Sequence, residues 1–140
     1  MRIRLYSLGQ DTAEKLGTSY FPQHGDGTIV LFFDVRLIPD LHDRADFNDR
    51  TGTDPEVRDA VIESKIGGGL VVAYKAAILT AIKLAKSNIS FTSIRICVMC
   101  ERGIQRSVAV VEHIAESLRG QHDVSIRHAH LESLDQPAAG

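Results

Sequence analysis

The stretch Cys97–Glu112, "CVMCERGIQRSVAVVE", runs from an apolar segment through a short loop with one glycine into a helical pattern. Upstream, Ser93–Met99 reads as a buried strand, and downstream Arg106–Arg119 has a helical period that Gly120 ends. The segment is therefore strand, loop, helix. The first turn of a helix leaves N–H groups without partners, and its dipole favours negative charge. A short loop entering such a helix wraps its amides around a phosphate or sulfate. Gly103 lets the backbone turn, Arg106 offers a guanidinium clamp, and Ser107 offers a hydroxyl. Arg102 adds positive charge, which Glu101 opposes. The plainer alternative is a strand-to-helix connection whose charges are incidental.

Working outward, Arg2–Ser7 alternates polar and apolar residues, as a half-buried strand does. Gln10–Gly27 is polar and glycine-punctuated, a loop with a helical turn near Thr12–Leu16. Thr28–Arg36, "TIVLFFDVR", has the continuous β-branched and aromatic content of a strand buried on both faces. Leu41–Thr53 is a long charged loop, and Asp54-Pro55 opens a helix that the glycines at 67–69 are expected to break. Leu70–Ser87 forms a second helix, apolar except for a stripe of Lys75, Thr80, Lys83 and Lys86, so the domain or a partner is expected to cover it. Val124–His128 is a last strand, and "LESLDQPAAG" a frayed tail. The alternation predicts a single α/β domain over 1–132, with a mostly parallel sheet of about four strands flanked by helices, and a flexible tail over 133–140. Ligands of such folds gather beyond the carboxyl ends of the strands, which singles out Asp34–Arg36 and Cys100–Ser107.

Composition narrows the function classes. The 140 residues carry net charge −2 and a pI near 6.3, so no overall basic field attracts nucleic acid. No unbroken apolar window of about 18 residues suggests a membrane span. Two cysteines, three residues apart, are no disulfide framework and fit a reducing cytoplasm. A redox or zinc reading of Cys97 and Cys100 with His128 and His130 lacks support, because Cys97 and Cys100 point to opposite strand faces. No metal or cofactor is expected. Gly67–Gly69 is not a Walker loop, since no Gly-Lys-Ser/Thr follows it. Cys100, five intervening residues, Arg106 and Ser107 also match the phosphate loop of cysteine-dependent phosphatases. Against that reading, Met99 stands where those enzymes usually have His, and Tyr74–Met99 contains no acidic residue to act as general acid, which leaves Asp40 and Asp43, distant in sequence, for folding to bring close.

Taken together, "FDVRLIPD", "RTGTDPEVRDAV", "CERGIQRSVAVVEHIAESL" and "VSIRHAHLE" resemble, in order and spacing, the C-terminal domain of the RapZ family of RNase adapter proteins. The resemblance implies a stand-alone homologue of that domain without the family's N-terminal P-loop ATPase domain. In the family the domain binds an amino-sugar phosphate, glucosamine-6-phosphate, and contacts small RNAs and partner proteins. The matching positions here are Asp34, Arg36, His42, Thr51, Gly52, the loop Cys100–Ser107 (with Glu101, Arg102, Gly103 and Arg106) and His128. The loop departs from the family's: Met99, Glu101, Arg102, Ile104 and Gln105 replace its Gly, Thr, first Gly, basic residue and His. The family's basic tail, used for RNA, is replaced by "SLDQPAAG", which argues against RNA as a partner. Plainer roles stand beside these. Asp34 and Arg36 suit a structural ion pair, His42 a solvated loop residue, and Thr51-Gly52 a turn. The expectation is a non-catalytic, cytoplasmic sensor or adapter for a small phosphorylated metabolite, with a regulatory protein as partner and the apolar helix as a candidate homodimer face. An enzymatic alternative would use Cys100 and Arg106, and a third reading is an RNA-binding adapter.

Overall fold

A computed structural model describes residues 1–16 and 25–135. Its elements, in chain order, are β1 (Arg2–Gly9), α1 (Gln10–Leu16), β2 (Thr28–Asp34), α2 (Pro55–Glu63), α3 (Lys65–Lys86), β3 (Ser93–Cys100), α4 (Arg106–Leu118), β4 (Asp123–His128) and α5 (Ala129–Asp135). The four strands pair in the order β2-β3-β1-β4, every pair parallel. The expected α/β architecture with a parallel sheet is the one observed.

The core lies on one face of the sheet. Ile3 and Leu5 of β1 and Ile94, Ile96 and Val98 of β3 meet Val61 of α2, Val71, Ile78 and Ile82 of α3, and Val110, Val111 and Ile114 of α4. Burying each such side chain contributes about 1.5–3 kcal/mol, which fixes the strand register because a one-residue slip would expose the set. In that register Gly9 ends β1 directly beside Cys100, the end of β3, so the two following loops leave the sheet side by side.

Three expectations need correction. The run Thr28–Arg36 forms an edge strand rather than one covered on both faces, and Phe32 is 45% exposed. Its other face does pack, with Phe33 stacked on Tyr74 of α3. The glycines at 67–69 do not break a helix. The break falls at Ser64, whose Oγ accepts from the Gly67 N–H at 3.0 Å and so caps α3. A Cβ on Gly67 would collide with the Val61 carbonyl, so this glycine lets the start of α3 sit on the end of α2. Finally, Leu131–Asp135, expected as frayed tail, lie in α5. Residues 17–24 of the predicted 10–27 loop and 136–140 of the tail are outside the described residues. α3 has the length and apolar composition of a membrane-crossing helix, yet its inward face is packed in the core while Val72, Leu79 and Leu84 are exposed.

Candidate functional site at the carboxyl ends of β1 and β3

The loop between β3 and α4 is shaped by close glycine contacts. Gly103 has φ +74°, and a Cβ there would run into the Gly9 backbone and lie 2.9 Å from the His130 Cβ. Gly9 has the reciprocal constraint, since its Cβ would stand 2.7 Å from the Arg102 carbonyl. The Gln10 N–H donates to the Glu101 carbonyl at 2.9 Å, which ties the first turn of α1 to the loop. Inside the loop the Gly103 N–H points to Cys100 Sγ at 3.2 Å, and the thiol lies 3.2 Å from Ser107 Oγ. Gln105 sits at the N-cap of α4 and makes no side-chain capping bond, so the helix opens with its amide end uncapped.

Much of the loop's polar equipment is committed to structure. Arg106 is buried, and its Nη1 donates to the carbonyls of Arg36 at 3.0 Å and Ile38 at 2.8 Å. Its Nη2 lies 3.7 Å from Asp40. Gln105 Nε2 donates to the carbonyls of Phe47 and Arg50, at 2.6 and 3.0 Å. These bonds identify its other atom as the oxygen, and that Oε1 is buried with no partner among the described residues. Gly52 donates its N–H to the Ile104 carbonyl at 2.9 Å and packs so tightly on the Gln105 carbonyl and Ala109 that no side chain fits there. The charged loop 41–53 is thus strapped to the start of α4, not left to solvent.

Two cavities flank the loop. One, of about 10 Å³, is lined by Asp40, His42, Cys100, Arg102, Ile104, Gln105 and Arg106, and has room for about one water-sized group. The other is an open cleft of about 550 Å³ lined by Gly9, Gln10, Asp11, Glu101, Arg102, Ile104 and His130, within the size range of small-molecule sites. Arg102 and Ile104 line both.

Of the residues singled out in the sequence, His42, Cys100, Glu101, Arg102 and Arg106 line a cavity, and Gly103 shapes the loop between them. Asp34 and Arg36 line neither. They form the ion pair that the plainer reading anticipated, at 2.7 Å. The guanidinium's hydrogen bonds hold the Asp34 carboxyl below its ordinary range. Arg36 does reach toward the cleft, with Nη1 3.5 Å from Gln10 Oε1. Thr51 bonds Thr53, Oγ1 to Oγ1, at 2.6 Å. Ser107 is fully buried under Cys100. His128 is held away from both cavities, its Nδ1 2.7 Å from Ser7 Oγ and its Nε2 2.7 Å from Glu112. Cys97 is buried on the other side of the sheet from Cys100, and burial raises its thiol pKa to about 11. The cavity-lining residues that sequence reasoning did not raise are Gly9, Gln10 and Asp11, while Asp40 was weighed only as a distant general acid and His130 only as a zinc ligand. The first three follow the end of β1, a strand whose place beside β3 is not written in its own sequence.

Similarity to known proteins agrees with this architecture. Residues 18–132 match the family model of the RapZ C-terminal domain. A nucleotide-binding protein of Thermus thermophilus is 34% identical over 114 residues, covering 79% of this chain and 38% of the relative. A nucleotide-binding protein of Rubrobacter xylanophilus is 31% identical over 95% of this chain and 46% of its own length. One from Mycobacterium avium is 30% identical over 85% and 40% respectively. The chain thus spans less than half the length of these curated relatives.

Proposed function

Because the chain belongs to the RapZ C-terminal domain family, we propose that it is a non-catalytic binding module for a small phosphorylated metabolite, acting as a sensor or adapter in a reducing, cytoplasmic setting. The observation that carries this reading is the uncapped amide end of α4, reached through the Gly103 turn and flanked by a water-sized cavity and a 550 Å³ cleft. An anion at the loop would be met by backbone N–H groups, the helix dipole and the Arg102 guanidinium. Arg106 supports the seat by holding the Arg36–Ile38 backbone, and its charge adds to the local field. Gln105 Oε1 is an acceptor without a donor among the described residues, which suits a hydroxyl on the ligand or on a singly protonated phosphate monoester better than its bare dianion. The cleft takes the polar remainder, a sugar, beside Gln10, Asp11, Glu101 and His130. The curated relatives are called nucleotide-binding proteins, and only the phosphate of that description is carried into this reading.

A cysteine-dependent phosphatase is the second reading, favoured by one feature: Cys100 Sγ accepts from the Gly103 N–H and lies within hydrogen-bond distance of Ser107 Oγ, to which the thiol donates. It is weakened by the burial of Cys100 and by an Arg106 engaged with backbone carbonyls.

The test is thermal unfolding with glucosamine-6-phosphate, glucose-6-phosphate, inorganic phosphate and sulfate. A ligand at about 100 times its Kd stabilises by about 2.7 kcal/mol, a rise in Tm of several degrees for a domain of this size. The sugar phosphates are expected to raise Tm more than the simple anions, and Arg102→Ala to cut the rise to about half, as a tenfold loss of affinity does at that ligand concentration. No rise with any phosphate compound at about 10 mM would refute the reading. Turnover of an aryl phosphate lost in Cys100→Ser would establish the second one.

A further inference from the structure

We propose that Cys100 is a redox-modification site, at which hydrogen peroxide converts the thiol to a sulfenic acid that the adjoining cavity holds and shields from further oxidation. This goes beyond the anion-binding reading and does not depend on it.

Cys100 is buried at the end of β3, yet it lines the cavity of about 10 Å³ that it shares with Asp40, Arg102, Gln105 and Arg106. Asp40 and Arg102 are exposed, so the cavity meets solvent on their side. Its volume admits about one oxygen-sized group. Gln105 gives that space its polarity. The side chain is buried, with the residue only 4% exposed, and its Nε2 donates to the Phe47 and Arg50 carbonyls, which lie outside the cavity. The cavity therefore receives Oε1, which is buried and has no partner among the described residues. A buried acceptor in that position is costly until a donor reaches it.

One oxygen added to Cys100 Sγ answers both the space and the acceptor. The sulfur attacks the outer oxygen of hydrogen peroxide, an S–O bond forms and the O–O bond breaks. The departing hydroxide takes the thiol proton and leaves as water, so sulfur is oxidised by two electrons and the peroxide reduced by two. The sulfenic oxygen then fills the one-oxygen space, and its hydrogen is a donor for Gln105 Oε1. Charge favours the attack. The Gly103 N–H donates to Sγ at 3.2 Å, and Arg102 and Arg106 line the cavity where negative charge gathers, opposed in part by Asp40. A sulfinic acid needs room for a second oxygen, which this volume lacks. Cys97 is the internal contrast: it is buried on the other face of the sheet and lines neither cavity of the site. From there it cannot resolve the sulfenic acid as a disulfide.

The test exposes the full chain, without ligand, to excess hydrogen peroxide. Peroxide is then removed with catalase and the chain unfolded in urea with dimedone, which couples to sulfenic acids, so that shielding cannot hide the product. Tandem mass spectrometry locates the adduct. The expected result is an adduct on Cys100 and none on Cys97; without dimedone, Cys100 gains one oxygen and not two, and dithiothreitol restores the thiol. Gln105→Ala removes the acceptor and enlarges the cavity, and should carry Cys100 on to the sulfinic acid at least about tenfold faster than the parent. Should that variant fail to fold by circular dichroism, the labelling of the parent carries the test. No adduct on Cys100 would overturn the proposal. So would equal labelling of Cys97, or ready passage of the parent to the sulfinic acid. A ligand hydroxyl on Gln105 Oε1 would compete for the same acceptor; that coupling alone rests on the anion-binding reading, and labelling without ligand keeps the two failures apart.

Discussion

Arg102 on the loop and Arg106 at the opening of α4, four residues apart, are put to opposite uses. Arg106 is enclosed, and two backbone carbonyls and a nearby carboxylate take its donors. Arg102 is exposed at the rim of both cavities. The same contrast separates the two walls of the site. On the α4 side, Gln105 and Gly52 strap the charged loop down. On the α1 and α5 side, Asp11, Glu101 and His130 line open space. A buried polar group whose donors are already taken holds the shape of a site, while one at the rim remains available to a ligand.

Mutations can break that contrast in order of severity. Gly103→Ala should be the most damaging, because it forces a side chain into a left-handed backbone and against Gly9; a loss of about 3 kcal/mol or more in urea unfolding is expected. Arg106→Ala should cost somewhat less, about 2–4 kcal/mol, by leaving the Arg36 and Ile38 carbonyls without donors, and should weaken ligand binding only as the loop loosens. Arg102→Ala should leave stability within about 0.5 kcal/mol and reduce anion affinity about tenfold by calorimetry. If Arg102→Ala proves as destabilising as Arg106→Ala, the division of labour is wrong.

The smallest expected effect lies away from the site and serves as its control. His113 on α4 sits 3.0 Å from Lys75 Nζ on α3. Burial first, and the lysine second, lower its pKa, with Arg58 acting the same way and Glu116 and Asp59 opposing. Its folded pKa therefore lies below the unfolded value near 6.5, so the unfolded chain takes up the proton first as pH falls. Stability from this pair is full above about pH 6.5 and declines as pH drops below it. Unfolding midpoints measured between pH 7.5 and 5 should show that decline in the parent and less of it in His113→Gln.

The sequence carried the alternation of strands and helices, and with it the α/β class, because buried strands and amphipathic helices leave different periods. It also carried the loop, since Gly103 and the opening of α4 are local features. It could not carry neighbour relations. "TIVLFF" looks interior whether the next strand exists or not, and only the sheet order makes β2 an edge. Gly67 looks like a helix breaker until the Val61 carbonyl is seen against it. Arg106 reads as a free charge because the carbonyls that hold it come from residues about seventy positions away. His130, rather than His128, faces the cleft because His128 is caught between Ser7 and Glu112.

The central claim, an anion held at the opening of α4, is tested most directly by following backbone amide resonances while glucose-6-phosphate is added. Saturable shifts concentrated at Glu101–Ser107 are expected, with His130 responding and the amides at the far end of α3, Leu84–Lys86, near the amino ends of the strands, unmoved. Shifts centred elsewhere on the fold, or none at the loop while the ligand binds, would contradict it.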